Sequence, residues 1–313
     1  MIGKNKVIVT GGAGFIGSNL AEELVKRGYG VTVIDDLSTG RMENLGQLLS
    51  KSNLEFVKGS ITDLELLTKL FRNSYYVFHQ AALASVPRSI DDPLNSHRVN
   101  LTGTLNVLLA ARDNGVKGVI YASSSSVYGD TPTLPKSEDM TPRPCSPYAV
   151  TKLAAEHYCQ VFSSTYGLVT TCLRYFNVYG AGQDPNSQYA AVVPRFIKDV
   201  SEGRPPIIFG DGEQTRDFTF IEDTVTANIL AAEANVGGVY NIGSGGRVTI
   251  NDLANSITGI IGNNLKPIHQ EPRSGDIRHS LADISKAKLF GYEPKYDLLQ
   301  GIKATIKATQ LNN

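Results

Sequence analysis

Short, almost continuously apolar runs mark the first part of the chain: KVIVT (6–10), VTVID (31–35), LEFVKG (54–59), YYVFHQ (75–80), GVIYAS (118–123) and LVTTCLRYF (168–176). Runs of this length without polar alternation suit strands buried on both faces of a parallel sheet. Between the first two, Ile16, Leu20 and Leu24 recur at helical spacing, and Gly28 and Gly30 stop the helix. Strand, helix and strand within about thirty residues form a βαβ unit. Its repetition predicts an α/β fold with a doubly wound parallel sheet.

After residue 180 the rhythm breaks. Pro, Gly and Asn thicken in AGQDPNSQ, EGRPPIIFGDGEQ, GSGGRVT and EPRSGD, between short irregular elements. The pattern predicts two parts: residues 1–180 as a dinucleotide-binding lobe and 181–313 as a smaller α/β lobe whose loops build a ligand site at the mouth of the sheet. The stretch 217–234 reads as a helix able to pack back on the first lobe.

Composition narrows the function. Of 313 residues, 41% are hydrophobic, and thirty basic residues balance thirty acidic ones. No basic field is available for nucleic acid or anionic lipid, and no apolar run approaches the roughly 20 residues of a membrane span. The N-terminus lacks the apolar length and small-residue cleavage site of a signal peptide. Cys145, Cys159 and Cys172 form no CxxC pair, and the five histidines are scattered. Neither a disulfide framework nor a metal site is expected, and a reducing cytoplasm is the expected compartment.

VIVTGGAGFIG places Gly11, Gly12, Gly14 and Gly17 directly after a strand and before an amphipathic helix. Without side chains, such a loop turns tightly and lets its backbone approach a pyrophosphate at the positive end of the helix dipole. Asp35 closes the second strand, eighteen residues after Gly17. A carboxylate there accepts hydrogen bonds from ribose hydroxyls and repels a 2′-phosphate, which selects NAD over NADP and makes the sheet Rossmann-type.

Tyr148 and Lys152, in SPYAVTK, lie four residues apart on a helix expected to run to about Gly167. One turn separates them, so both project from one face. A free phenol has a pKa of about 10; a lysine cation and a nicotinium charge favour its ionised form and make Tyr148 a base. In YASSSSVYG, Ser124 is the candidate donor to the reacting oxygen, with Ser125 and Ser126 beside it and Ser123 toward the cofactor.

Together these residues are the signature of the extended short-chain dehydrogenase/reductases. TGGAGFIGSNL, HQAALASVPRS, NLTGTLNVL, ASSSSVYG, SPYAVTK, LRYFNVYG, DGEQTRDF and RSGDIRHSLADISKA resemble the UDP-hexose 4-epimerases over essentially the whole chain, most closely the UDP-N-acetylglucosamine 4-epimerase type. The resemblance implies that Phe15 and Ile16 touch NAD, that Asp35, Asp36, Leu37, Ser38, Thr39 and Gly40 hold the adenosine, and that Ser60 and Ile61 lie near adenine. Relatives carry an acid at the Ser60 position. Gln80, Ala81, Ala82 and Asn100 are expected along the cofactor groove, with Tyr175 near the nicotinamide. Asn177 is expected at the nucleotide-sugar diphosphate, Ala191, Val192 and Ile207 around uridine, Arg216 and Arg273 on the diphosphate, and Asp276 on the uridine ribose. Ile207 replaces an aromatic residue that relatives stack on uracil. Ser280 is small where the family excludes an N-acetyl group with a bulky tyrosine, and Ala84 and Ser85 resemble the N-acetyl-accepting type.

The resemblance implies epimerisation at C4 of a UDP-sugar through a 4-keto intermediate, with UDP-GlcNAc and UDP-GalNAc as the expected pair. UDP-glucose 4-epimerase and UDP-glucuronate 4-epimerase are the alternatives; relatives of the latter tend to carry threonine at the Asn177 position. It also implies a homodimer, with Leu105, Leu108 and Leu109 facing Ala155, Tyr158 and Phe162 in a four-helix bundle.

Overall fold

The computed structural model describes residues 4–185, 191–263, 265–272 and 277–311. All six apolar runs enter one parallel sheet as β1 (Lys4–Thr10), β2 (Tyr29–Asp35), β3 (Leu54–Lys58), β4 (Ser74–His79), β5 (Gly118–Ser124) and β6 (Val169–Tyr175). A seventh strand, Gly238–Ile242, pairs in parallel with β6 from Gly238↔Thr171 to Ile242↔Tyr175. It was not apparent in the sequence because VGGVYN is short, polar at Asn241 and opened by two glycines. The order across the sheet is Gly238–Ile242, β6, β5, β4, β1, β2, β3.

Strand residues alternate between two buried layers. Val7 and Val9 of β1 and Val31 and Val33 of β2 pack with Leu20 and Leu24 of α1 (Phe15–Lys26) and with Ile229 of α8 (Ile221–Ala234). On the opposite face Ile8 and Ile34 meet Leu67 of α2 (Leu64–Leu70), Val107 and Leu108 of α5 (Gly103–Asp113), and Ala155 and Cys159 of α6 (Pro147–Tyr166). Each such side chain contributes about 1.5–3 kcal/mol by leaving water. The short helices α3 (Val86–Asp91) and α4 (Pro93–His97) link β4 to a π-helical turn, Arg98–Thr102, ahead of α5. Beyond β6, α7 (Val192–Ser201) and α9 (Ile250–Ile261) pack on each other and carry the loops over the sheet's mouth.

Two expectations change here. The helix read over 217–234 begins at Ile221, because the Asp217 carboxylate is occupied in a loop: it accepts from the amides of Ser244, Gly245 and Ala282 and from the Ser244 hydroxyl. Leu108, Ala155 and Phe162, expected to face a second copy, are 0%, 0% and 4% exposed and belong to the protein's own core. The α6 face left open carries Val150, Tyr158 and Val161.

Candidate active site

β1 and β4 are neighbours, with β2 beyond β1 and β5 beyond β4, so the connections leaving their carboxyl ends run in opposite directions and open a crevice between them. The glycine loop crosses that crevice. Gly11 has φ +68, and a Cβ on it would sit 2.6 Å from the backbone of Ala81; one on Gly17 would collide with the Gly11 carbonyl. Gly14, in extended conformation, opens α1 with no side-chain cap and no acid in the first turn. The free amides at that end therefore face the crevice without a competing protein acceptor.

A cavity of about 310 Å³ follows the loop. Gly11, Gly14, Phe15, Ile16 and Gly17 line it, as do Asp35, Asp36, Ser38, Thr39 and Ile61, and then Gln80, Ala81, Ala82, Ala84, Ser123, Tyr148, Lys152 and Tyr175. Ile34, Gly59, Leu83, Val99 and Ala122 also line it. Their residue types carry no chemical signal, so only the fold reveals them.

Asp35 is 8% exposed. Its oxygens accept from the Ala13 amide at 3.0 Å and the Leu37 amide at 2.8 Å. Burial pushes its pKa up while the two amides pull it down, and each oxygen keeps a second lone pair for a ribose hydroxyl.

Four expected groove residues lie outside its wall. Leu37, at φ +62, acts through the amide it turns onto Asp35. Gly40 packs so close to the Asp35 carboxylate that a Cβ would lie 2.7 Å from it. The Ser60 hydroxyl pairs with Thr62 at 3.0 Å. Asn100, on the π-helical turn and 1% exposed, stands behind the groove: it accepts from the Leu83 amide at 2.8 Å and donates to Leu83 O and Thr151 Oγ1. It holds the wall rather than forming it.

SPYAVTK begins α6 for local reasons. Ser146 caps it by accepting from the Ala149 amide at 3.2 Å, and Pro147 takes the first turn. Tyr148 is thereby set at the helix start, its own amide donating to Ser89 Oγ at 3.0 Å. Lys152, 3% exposed, donates to Ala122 O at 2.7 Å and lies 5.8 Å from the Tyr148 ring centre. Its pKa falls to about 8 because burial disfavours the charge, with Glu156 opposing.

The phenol departs from expectation. Burial pushes the Tyr148 pKa up, and the group pulling it down is Ser124 rather than Lys152. Desolvation outweighs an ammonium that is itself engaged with a backbone carbonyl. Tyr175 is raised further, to about 12; its hydroxyl donates to Asn228 Oδ1 at 3.0 Å and accepts from Gln80 Nε2 at 3.2 Å. Asn228, wholly buried on α8, had no signal in the sequence.

A second cavity of about 300 Å³ gathers Asn177, Ala191, Val192, Ile207 and Arg216. Arg195, Phe196, Phe209, Gln214 and Phe218 join them. Phe209 is two residues beyond Ile207 on one short strand, hence on the same side, and the Arg195 guanidinium lies 5.5 Å from its ring centre. Arg216 donates to Thr215 O at 3.0 Å, and Asn177 to Asp217 O at 2.8 Å.

Ser280 is 9% exposed and its amide donates to Thr215 O at 3.0 Å; it lines neither cavity. Ser85 caps α3, accepting from the Arg88 amide at 3.2 Å, and Ser125 enters a 3₁₀ turn capped by Ser124. Arg273 and Asp276 lie outside the described residues.

A family model described as the NAD dependent epimerase/dehydratase family matches residues 7–243. The chain belongs to this family. It is similar to the solved structure of a UDP-N-acetylglucosamine 4-epimerase from Methanobrevibacter ruminantium in complex with UDP-N-acetylmuramic acid, at 42% identity, 100% of both chains and a TM-score of 0.96. It is also similar to a UDP-glucose 4-epimerase from Thermus thermophilus in complex with NAD, at 37% identity, 97% of this chain, 99% of that one and a TM-score of 0.89. A UDP-glucose 4-epimerase from Mycolicibacterium smegmatis is 41% identical, covering 96% of this chain and 97% of its own.

As in other NAD dependent epimerases/dehydratases, the cofactor is NAD. The groove fits it: a backbone cradle that a single Cβ would fill, uncapped helix amides for the diphosphate, and the Asp35 carboxylate for the ribose.

Proposed function

We propose that this protein is a UDP-sugar 4-epimerase that interconverts UDP-GlcNAc and UDP-GalNAc. The observation that carries the reading is the convergence of Tyr148 and Lys152 on the wall of the NAD groove, with Ser124 acting on the same phenol. The second cavity, with Arg216 and Asn177, supplies donors suited to a nucleotide diphosphate. Small Ala84 on the groove's wall, together with likeness to an epimerase solved with an N-acetylated sugar nucleotide, supports the choice of sugar. In this reading residues 1–180, with later segments packed back on them, serve NAD, and 181–313 serve the nucleotide sugar. The open α6 face of Val150, Tyr158 and Val161 supports a homodimer.

Bound NAD supplies the acceptor, and then the donor, of the C4 hydride. Tyr148 accepts the C4 hydroxyl proton and later returns it, while Ser124 holds the reacting oxygen by a hydrogen bond. Burial raises the phenol and the Ser124 hydroxyl lowers it, so its ionisation at neutral pH would draw on the positive charge of the nicotinium ring when NAD is bound, with the Lys152 ammonium 5.8 Å from the ring centre of Tyr148. Arg216, with Arg273, retains the diphosphate as the 4-keto sugar turns its other face.

The test is to incubate the purified protein with UDP-GlcNAc, UDP-glucose and UDP-glucuronate in turn and separate the epimers. Conversion of UDP-GlcNAc foremost is expected. Failure with every sugar, NAD supplied, defeats the reading; conversion of glucuronate alone reassigns the substrate.

A further inference from the structure

Glu156 takes no part in the scheme above, yet it lies one turn beyond Lys152 on α6 and is 1% exposed. Both its oxygens are engaged. Arg174 donates from Nη2 to Oε2 at 2.7 Å and from Nε to Oε1 at 2.9 Å. The Ser123 hydroxyl, on the cofactor groove, donates to Oε1. Arg174 Nη1 donates to the Tyr128 hydroxyl at 2.9 Å, which donates to Asn241 Oδ1 at 2.7 Å. The network thus runs from the groove to the edge strand of the sheet.

A buried ion pair is weak evidence for stability, since apolar residues of equal volume commonly serve as well. Its placement points instead to Lys152. The groups facing that ammonium are the Tyr121 ring on β5 at 5.0 Å, the Tyr148 ring at 5.8 Å, Glu156 and Cys159 on α6, and His79 on β4. Glu156 is the one carboxylate in this set. His79 stays neutral, its pKa lowered to about 3 by burial and by Lys152 itself. Lys152 and Glu156 stand one turn apart on α6, hence on one face of it, and both are buried; Arg174, from β6, clamps both oxygens of the carboxylate and is itself held by Tyr128.

We propose that Glu156 is a positioning residue of this site: clamped by Arg174, its carboxylate keeps the buried Lys152 in the ammonium form and fixes the Ser123 hydroxyl on the cofactor wall. The catalytic consequence rests on the epimerase reading; the charge state of Lys152 does not.

Two variants test it: Glu156→Gln, and the double variant Glu156→Gln with Arg174→Met, which removes the orphaned guanidinium and bears the test if the single variant does not fold. Lys152 is followed through the ε-carbon shift of isotope-labelled lysine, assigned with Lys152→Arg, and kcat and KM are measured against pH. In both variants Lys152 is expected to lose its proton about one pH unit lower than in the parent. The alkaline limb of kcat should follow it, with KM for the nucleotide sugar unchanged. A folded double variant in which Lys152 titrates as in the parent overturns the proposal, whatever its activity. If the parent fails to epimerise any sugar but Lys152 shifts as stated, the functional reading fails and this inference stands.

Discussion

The two cavities differ in how they are assembled. Most of the cofactor groove's wall comes from the carboxyl ends of the sheet strands and the residues just after them, in short segments such as GGAGFIG, with Val99, Tyr148 and Lys152 added from helices. The second cavity draws on 177–179, 191–196, 207–218 and Ile250, stretches far apart in sequence, one of which Asp217 ties to Ser244, Gly245 and Ala282. The groove relies on backbone shape at the mouth of the sheet; the second cavity relies on side chains gathered from separate stretches of the chain. Cofactor retention should therefore be sensitive to added atoms, and sugar binding to lost ones.

The largest effect is expected at the phenol on the groove's wall. Tyr148→Phe should lower kcat by about 10³-fold, in line with loss of a proton-transfer group, while NAD remains bound. Near-parental turnover in a coupled epimer assay would exclude Tyr148 as the base.

Gly17→Val tests the groove alone. Its side chain meets the Gly11 carbonyl and the Gly12 backbone, neither of which can move without reshaping the loop. NAD affinity should fall about 100-fold, equivalent to about 2.7 kcal/mol, read by calorimetry or by cofactor content after purification. Tight NAD binding in that variant would show that the loop is more pliant than the cradle implies.

Arg216→Ala tests the pocket alone. Removing a charge-assisted donor should raise KM for the UDP-sugar about 30-fold, near 2 kcal/mol, with NAD affinity unchanged. A loss of NAD here would break the separation between the regions.

The smallest effect concerns the frame beneath the groove. His79 is 1% exposed, bridges Thr10 at 2.7 Å and Thr104 at 2.9 Å, and has its pKa lowered from 6.5 to about 3. The unfolded chain binds the proton that the folded chain refuses, so stability falls as pH drops through this window, by up to about 1.4 kcal/mol per pH unit. His79→Asn should flatten the pH dependence of the melting temperature between pH 6 and pH 4. An unchanged slope would place the acid sensitivity elsewhere.

How much of this was legible follows from the same contrast. The six long strands, the glycine loop, Asp35 and the Tyr148–Lys152 turn declared themselves because apolar runs, missing side chains and a one-turn spacing are local signals. The Gly238–Ile242 strand did not, being opened by glycines, polar at Asn241 and held by pairing with β6. Asn100 was expected on the groove's wall and stands behind it, and Asn228 read as an ordinary helix residue; their roles behind Leu83 and Tyr175 exist only through contacts distant in sequence. Arg195 and Phe209 were likewise missed because nothing in their spacing announces a shared cavity.

The sequence by itself determined the parallel sheet, the cofactor cradle and the helix that carries Tyr148 and Lys152, since each depends on residues within one or two turns or one strand of each other. Only the tertiary structure decided the electrical state of that pair. Burial raises the phenol and lowers the amine, and desolvation depends on which helices and strands close over a group, which no local spacing records.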